Sequence, residues 1–308
     1  MSGPKQRYVL GEPAALADVL SRFDALSALA EGRVFVAGLR AHDPNQMLDA
    51  GVAVEVYPGR EGQGELEVLH AQHGLVYVAK PPGIATEPER RGATGTLVAL
   101  IAKQLGLPID RVHALSRLDV GVSGVVLLGI DAEARRRVNE LRAQGRVKRR
   151  YVALAAGTPE PERGTWSDPI GKSSGNVRRR VDPRGEPAET HYRVAARSAP
   201  AAAQSAATDS SVLALEPTTG RTHQLRVHAA AHGAPLFGDR TYGGPGRLVL
   251  PSGEVRALAR VLLHAAWVQI EGQPRVACPL PGDFSAAWQS LGGEPQALQS
   301  AFDEPVLV

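Results

Sequence analysis

Residues 116–124 read Ser-Arg-Leu-Asp-Val-Gly-Val-Ser-Gly and run straight into the apolar stretch Val125-Val126-Leu127-Leu128. The pattern is a loop with one carboxylate, Asp119, at its tip, feeding a buried strand. A rigid strand fixes such a carboxylate in space while the loop leaves it accessible, which is the placement catalysis needs. A surface turn in which Asp119 merely pairs with Arg117 has the same local pattern. Two further stretches concentrate reactive side chains. Residues 219–228, Thr-Gly-Arg-Thr-His-Gln-Leu-Arg-Val-His, open with a turn and lead into a predicted helix ending near His232-Gly233. Lys148-Arg149-Arg150-Tyr151 heads a predicted strand whose leading end is both cationic and aromatic.

Other chemistries fit these residues poorly. His228 and His232 have one-turn spacing, and His223 is close by, but no acidic ligand accompanies them at metal-binding intervals, so no metal site is expected. Ser116 and Ser123 lack the Gly-x-Ser-x-Gly elbow of a serine hydrolase.

The elements that must position these groups follow from the rest of the chain. With 308 residues and 43% hydrophobic content, it is long enough for one large domain and a small one. Lys and Arg total 35 against 32 Asp and Glu, so any basic surface must come from local clustering. A single cysteine, Cys278, excludes an internal disulfide and a cysteine-built zinc site. The first residues lack an apolar signal core and no run is long enough to span a bilayer, so a cytoplasmic protein with no membrane association is expected.

Taken in order, residues 1–60 form a small module. Residues 14–20 and 25–30 read as helices, 32–38 as a strand and turn, and Val52, Val54 and Val56 as one face of a half-buried strand. Residues 61–67 are a Gly- and Glu-rich linker, within a longer stretch that opens at Arg60. Residues 68–290 are the main domain, and 291–308 a C-terminal tail. Within the main domain, Val76 to Ala79 is a strand halted by Lys80-Pro81-Pro82-Gly83, because a double proline cannot continue a ladder. Thr96 to Leu105 has amphipathic helical spacing. Asp131 is a predicted N-cap for a helix running to Gln144 and stopped by Gly145, its arginines at 135, 136, 137 and 142 forming a solvated face. Arg178-Arg179-Arg180 is expected in a loop as a phosphate contact or a plain surface feature. Residues 198–211 are an Ala- and Ser-rich exposed insert. Val212 to Leu215 and Val261 to Ala265 are further strands. Strands separated by helices and long loops without regular alternation predict an α+β domain with a mixed, mainly antiparallel sheet.

Three segments together resemble the RluA-type pseudouridine synthases: Arg117-Leu118-Asp119-x-x-x-Ser123-Gly124, Arg149-x-Tyr151-x-Ala153, and residues 220–228. Lys80-Pro81-Pro82-Gly83, Ala188-Glu189-Thr190, Gly238-Asp239 and Leu263-His264-Ala265 match weaker elements of that family in the same order. The family's usual His and Thr of the first motif are Ser116 and Val122 here, and its usual Lys before the tyrosine is Arg149. The order of residues 13–60, helix, helix, Gly-Arg-Val-x-Val-x-Gly, spacer, Gly-x-x-Val-x-Val, resembles a small α/β RNA-binding module shared by a small-subunit ribosomal protein and several RNA-modifying enzymes. The Arg-Leu-Asp of that module's first helix is Ala15-Leu16-Ala17 here.

The resemblance implies a cofactor-independent isomerisation of uridine in RNA, in which the base is flipped out of its stack. It implies Asp119 as nucleophile or base, Arg221 as the ion-pair partner that keeps Asp119 ionised, and Tyr151 stacked on the uracil. Leu225 and Leu263 would wall the pocket, and Arg117, Arg149 and Arg226 would contact substrate. Large-subunit rRNA is the expected target, with tRNA and a non-catalytic RNA-binding role in ribosome assembly as the alternatives. A monomer is the default oligomeric state.

Overall fold

The computed structural model of the chain describes residues 6–23, 25–30, 34–36, 39–41, 43–56, 65–87, 95–173, 178–198, 209–250 and 254–306. Most of the expected linker and most of the expected Ala/Ser-rich insert lie outside those residues.

The N-terminal part is a four-stranded sheet of β1 (Gln6–Val9), β2 (Val34–Val36), β3 (Leu39–Arg40) and β4 (Ala53–Val56), in spatial order β1-β4-β2-β3. Helices α1 (Leu16–Ser21) and α2 (Leu26–Ala30) accompany it. Leu16, Leu20, Val34 and Val54 make a core of their own here. Helix α1 starts two residues later than the spacing predicts, because Ala14 and Ala15 pair with Leu48 and Met47 as a short ladder.

The larger part is α+β, as the sequence predicts. Its elements, in chain order, are β5 (Val68–Gln72), β6 (Leu75–Lys80), α3 (Leu97–Gln104), β7 (Ser123–Gly129), α4 (Ala132–Ala143), β8 (Val147–Ala156), β9 (Arg163–Trp166), β10 (Ile170–Lys172), β11 (Arg179–Val181), β12 (Thr190–Ser198), β13 (Ser210–Pro217), α5 (Gln224–Ala231), β14 (Leu263–Ile270), α6 (Gly282–Ser290) and α7 (Pro295–Asp303). The main sheet runs β9-β12-β13-β8-β14-β7-β6-β5, and two short strands at 113–114 and 276–277 flank β7 and β14. Among the described pairings only β7 with β14 is parallel.

Strand side chains alternate between two faces, and each face has its own helices. Val76, Val126, Tyr151 and Leu213 pack with Leu97 and Ile101 of α3 and Leu225 of α5. Tyr77, Val125 and Leu127 pack with Ala134 and Val138 of α4, while Val152 and Leu154 pack with Phe284 of α6 and Leu298 of α7. Cover on both faces is why β7 is buried at every position and reads as an unbroken apolar run. Asp131 caps α4 by accepting the Ala134 N–H at 2.7 Å, and Thr96 caps α3.

Two expectations need correction. The segment expected as a C-terminal tail, 291–308, contains α7, which is docked by a buried cation that composition does not reveal. Arg150 is 1% exposed, donates to the carbonyls of Ala301 and Glu304 at 2.9 and 2.8 Å, and pairs with Glu216 at 2.6 Å. The Arg178–Arg180 triplet does not form an irregular loop, because Arg179–Val181 is a strand paired with β10 as a hairpin arm.

The parallel contact brings two motif segments together, with Ser123 opposite His264 and Gly124 opposite Ala265. Gly124 has φ +116, and a Cβ there would lie 2.1 Å from the Ala265 carbonyl oxygen, so only glycine fits. Ser123 Oγ lies 2.9 Å from His264 Nδ1, and His264 Nε2 lies 3.0 Å from the Cys278 carbonyl. A carbonyl only accepts, so Nε2 carries the proton and Nδ1 accepts from the serine hydroxyl, which itself accepts from Arg260 at 3.1 Å. This serine–histidine pair is a buried staple between strands.

Burial lowers the His264 pKa from 6.5 to about 4. The unfolded chain binds that proton below pH ~6.5 and the folded chain does not, so stability is complete above that pH and falls as pH drops towards 4. The full loss is about 3 kcal/mol. Urea midpoints measured from pH 7 to pH 4 are expected to show this decline, and His264→Asn to flatten it. Parallel profiles for the two proteins would exclude His264 as the source.

Candidate active site

Asp119 sits in the turn that enters β7, and the flanking residues are clamped on both sides. The Thr86 hydroxyl accepts the Leu118 N–H at 3.0 Å and donates to the Leu118 carbonyl at 2.9 Å. The buried Lys80 ammonium donates to the Ile84 carbonyl at 2.8 Å and to the Val120 carbonyl at 3.4 Å. The Lys80-Pro81-Pro82-Gly83 turn therefore holds the residue after Asp119, and Thr86 the residue before it. Ser116, where the resembling family has His, accepts the Leu127 N–H at 2.9 Å, so it braces the strand that follows.

The carboxylate is held through one oxygen. Arg226, from the first turn of α5, donates Nη1–H to Asp119 Oδ2 at 2.8 Å and grips Asp239 through Nε–H and Nη2–H at 2.7 and 2.8 Å. His223 Nε2 lies 3.7 Å from the same Oδ2. Among the described residues no hydrogen bond reaches Asp119 Oδ1. Burial alone would lower the Arg226 pKa, but the hydrogen bonds and charges of Asp239 and Asp119 outweigh it and raise the value, so the guanidinium is permanently charged. The Asp119 side chain is 28% exposed, against 11% for Arg226 and 1% for Asp239. The triad is thus graded from a buried anchor to an accessible carboxylate.

That carboxylate opens on a cavity of about 720 Å³. All eight residues singled out from the sequence line it: Arg117, Asp119, Arg149, Tyr151, Arg221, Leu225, Arg226 and Leu263. Tyr151 lies here because it falls on the α5-covered face of β8 and Leu225 projects from α5 towards the same core. Burial raises the Tyr151 pKa, against the nearby Arg149 and Arg142 cations, so its hydroxyl is a neutral phenol.

The roles suggested for two arginines change. Arg221 does not meet Asp119. It precedes the left-handed turn at His223 and reaches outward to the Glu186 carboxylate and the Pro187 carbonyl, the latter at 2.9 Å. Arg226, five residues on and inside the helix, is the ion-pair partner. Arg149 donates Nη2–H to the carbonyls of Pro217 and Thr219 at 3.1 and 2.7 Å, so it braces the loop that opens the third motif while bordering the cavity. Arg117 stays at the rim, its side chain 64% exposed and 3.9 Å from Glu87.

Other participants were not recognised in sequence. The helical pattern puts Arg142 on a solvated face, yet it borders the cavity, donates to the Leu115 carbonyl, and has its pKa lowered by burial and by Arg149. Its neighbour Arg136 does face solvent, bridging Glu133 and Glu140. Asp239 lies in a motif segment, but a carboxylate after glycine reads equally as a turn. The three histidines do not converge: His228 and His232 both bond to Asp168, at its carbonyl (3.0 Å) and its carboxylate (2.7 Å), and His223 faces Asp119. Among the described residues no cluster of three or more His, Cys, Asp or Glu is placed to hold a metal ion, and no helix is long and apolar enough to cross a membrane.

Comparison with known proteins places the chain in a family. Residues 74–231 match the family model of RNA pseudouridylate synthase. An uncharacterised RNA pseudouridine synthase of Bacillus subtilis, YhcT, is 38% identical over 67% of this chain and 64% of its own length, so the match spans just under two thirds of that relative. The ribosomal large subunit pseudouridine synthase D of Nitrosomonas europaea is 33% identical over 75% of this chain and 67% of its own. The solved structure of human RNA pseudouridylate synthase domain-containing 1 superposes with a TM-score of 0.56 at 25% identity, covering 79% of this chain and 97% of that one. With the family's motif segments gathered around one carboxylate and half the chain matched by its model, this protein belongs to the RluA-type RNA pseudouridine synthase family.

Proposed function

We propose that this protein isomerises uridine to pseudouridine in structured RNA, with large-subunit rRNA as its target and Asp119 as the reacting carboxylate. The observation that carries this reading is the presentation of Asp119: held on Oδ2 by Arg226 and open to a cavity walled by Tyr151, Leu225 and Leu263. The reaction breaks the C1′–N1 bond, turns the uracil and forms C1′–C5; a proton leaves C5 and one is taken up at N1. Electrons and atoms balance within the substrate, so no redox partner or external nucleophile enters the stoichiometry. Asp119 serves as nucleophile or base at the ring or sugar. Arg226 fixes its position by donating to Oδ2. The Tyr151 ring stacks on the flipped uracil and its hydroxyl assists proton transfer at C5. The choice of rRNA is supported by the ribosomal large subunit in the name of the Nitrosomonas relative and by the resemblance of the residue pattern over 13–60 to an RNA-binding module. Phosphates of the substrate would be met by rim cations such as Arg117 and by the Arg178–Arg180 arm.

The test is tritium release from RNA labelled at uridine C5, run on rRNA and on tRNA. Release from rRNA alone supports the reading, and release from tRNA alone redirects the substrate. Measurable binding with no release from either would shift the assignment to a non-catalytic RNA-binding role. In the same assay Tyr151→Phe is expected to bind RNA within about twofold of the parent but to turn over on the order of 10²-fold more slowly. Unchanged kinetics would remove the hydroxyl from the chemistry.

A further inference from the structure

His223 is held beside the carboxylate in an unusual backbone conformation that the mechanism above does not use. With φ 59 and ψ 16 at the start of α5, it is one of two non-glycine residues of positive φ among those described. Such a conformation persists in a bulky L residue only where its surroundings fix it, and it is common at functional sites. Here the surroundings are specific. His223 Nδ1 lies 2.7 Å from the Tyr242 hydroxyl, with the rings edge-on at 78°. That hydroxyl also accepts the Arg179 backbone N–H of the β10–β11 hairpin at 3.0 Å. Nε2 faces Asp119 Oδ2 at 3.7 Å, and a carboxylate only accepts, which favours the hydrogen on Nε2 and makes Nδ1 the acceptor of the Tyr242 hydroxyl proton. The Tyr242 ring carries the Arg226 guanidinium over its face at 5.0 Å. Asp239, the other partner of Arg226, caps the turn leading to Tyr242 through the Thr241 N–H at 3.2 Å. The contacts close a ring from Asp119 through Arg226, Asp239, Tyr242 and His223 back to Asp119.

We propose that His223 is a positioning residue for Asp119: its Nε2–H holds Oδ2 alongside Arg226 so that Oδ1 is the oxygen presented to substrate, and Tyr242, seated by Arg179 of the hairpin, orients the imidazole. This rests on the proposed uridine isomerisation. At 3.7 Å the contact is longer than a hydrogen bond, and contacts of this kind tighten once substrate is bound. The groups facing the imidazole are Asp119 and Asp239, which favour its protonation, Arg226 and Arg179, which oppose it, and the Tyr242 hydroxyl. Burial outweighs the carboxylates and lowers the pKa, so the ring is a neutral donor near pH 7. The same arrangement links a cationic hairpin, a natural resting place for RNA phosphates, to the orientation of the reacting group.

The test uses the full-length chain with His223→Ala, His223→Gln, Tyr242→Phe and the double variant His223→Ala/Tyr242→Phe. Single-turnover tritium release and RNA affinity are measured on the rRNA and tRNA preparations described above. His223→Ala and Tyr242→Phe are each expected to slow the chemical step by about 10- to 100-fold, with affinity within about twofold of the parent. The double variant should be no slower than the worse single one, because both act through the same contact. His223→Gln, whose amide nitrogen overlies Nε2, should recover most of the rate. Affinity lost with the rate intact, or losses that multiply, would overturn the proposal. A second measurement does not depend on turnover: the imidazole ¹⁵N shifts of His223 should report the Nε2–H tautomer and change in Tyr242→Phe. An Nδ1–H tautomer or an imidazolium at pH 7 would overturn it equally. If the parent protein releases no tritium from either RNA, the uridine reading fails, while the tautomer still decides how His223 is set towards Asp119.

Discussion

Asp119→Asn is expected to abolish pseudouridine formation, by at least about 10⁴-fold, while the protein stays folded and still binds RNA. A factor of 10⁴ is about 5.5 kcal/mol of transition-state stabilisation, a scale reached when the reacting nucleophile or base is removed. Asparagine preserves the shape of the side chain and leaves an oxygen that accepts from Arg226, so the loop clamped by Thr86 and Lys80 has no reason to move. What disappears is the negative charge and the lone pair on Oδ1. Arg226 keeps its second counter-charge in Asp239, so stability should change by no more than about 1 kcal/mol. Tritium release and filter binding on the same RNA preparation separate the two effects. Turnover within tenfold of the parent would sink the assignment of Asp119. RNA affinity should meanwhile fall steeply with salt in both proteins, because binding to phosphates releases counterions.

Arg226→Met should damage both activity and the fold, and Arg221→Ala should not. Removing Arg226 leaves Asp239, whose side chain is 1% exposed, in the interior without its bidentate partner. Breaking a buried pair in this way costs roughly 3–5 kcal/mol, enough to lower a urea midpoint visibly. It also frees Asp119 from the donor that fixes it, so turnover should fall by a factor approaching that of Asp119→Asn. Arg221 pairs with Glu186 at the surface, with side-chain exposures of 37% and 71%. Exposed pairs of this kind contribute about 0–1 kcal/mol, so Arg221→Ala should unfold near the parent midpoint, with any loss confined to RNA affinity or to substrate positioning. Equal unfolding midpoints for the two variants would mean that the Arg226–Asp239 contact does not anchor the site. A fully inactive Arg221→Ala with Arg226→Met still active would restore the pairing that the sequence suggests.

That exchange of roles shows where reading the sequence stops. Both arginines lie in one ten-residue segment, on either side of His223, and their types and spacing are equally suited to pairing with a carboxylate. Sequence separation along a turn followed by a helix does not say which side chain points inward. The left-handed conformation of His223 redirects the chain at that point, so Arg221 leaves the cavity for Glu186 and Arg226 enters it. Arg142 was hidden for a similar reason. Four arginines on one polar helix average to a solvated face, and only packing against β8 and the loop at Leu115 turns one of them inward.

The sequence by itself determined the family and the α+β class, and pointed to side chains that the structure places around one cavity with Asp119. Those are carried by local signals: a loop-to-strand transition, an apolar run long enough for a strand buried on both faces, a proline turn, and a capping residue at Asp131. Only the tertiary structure decided how the charges are paired, because pairing depends on residues far apart in the chain. Asp119 and Arg226 are 107 positions apart, and Ser123 and His264 are 141 apart. It also decided that Lys80 and Thr86 hold the loop that carries Asp119, and that Pro295–Asp303 is a helix docked by the buried Arg150. A buried polar group must find a partner wherever the fold supplies one, and local pattern carries no record of which distant residue that will be.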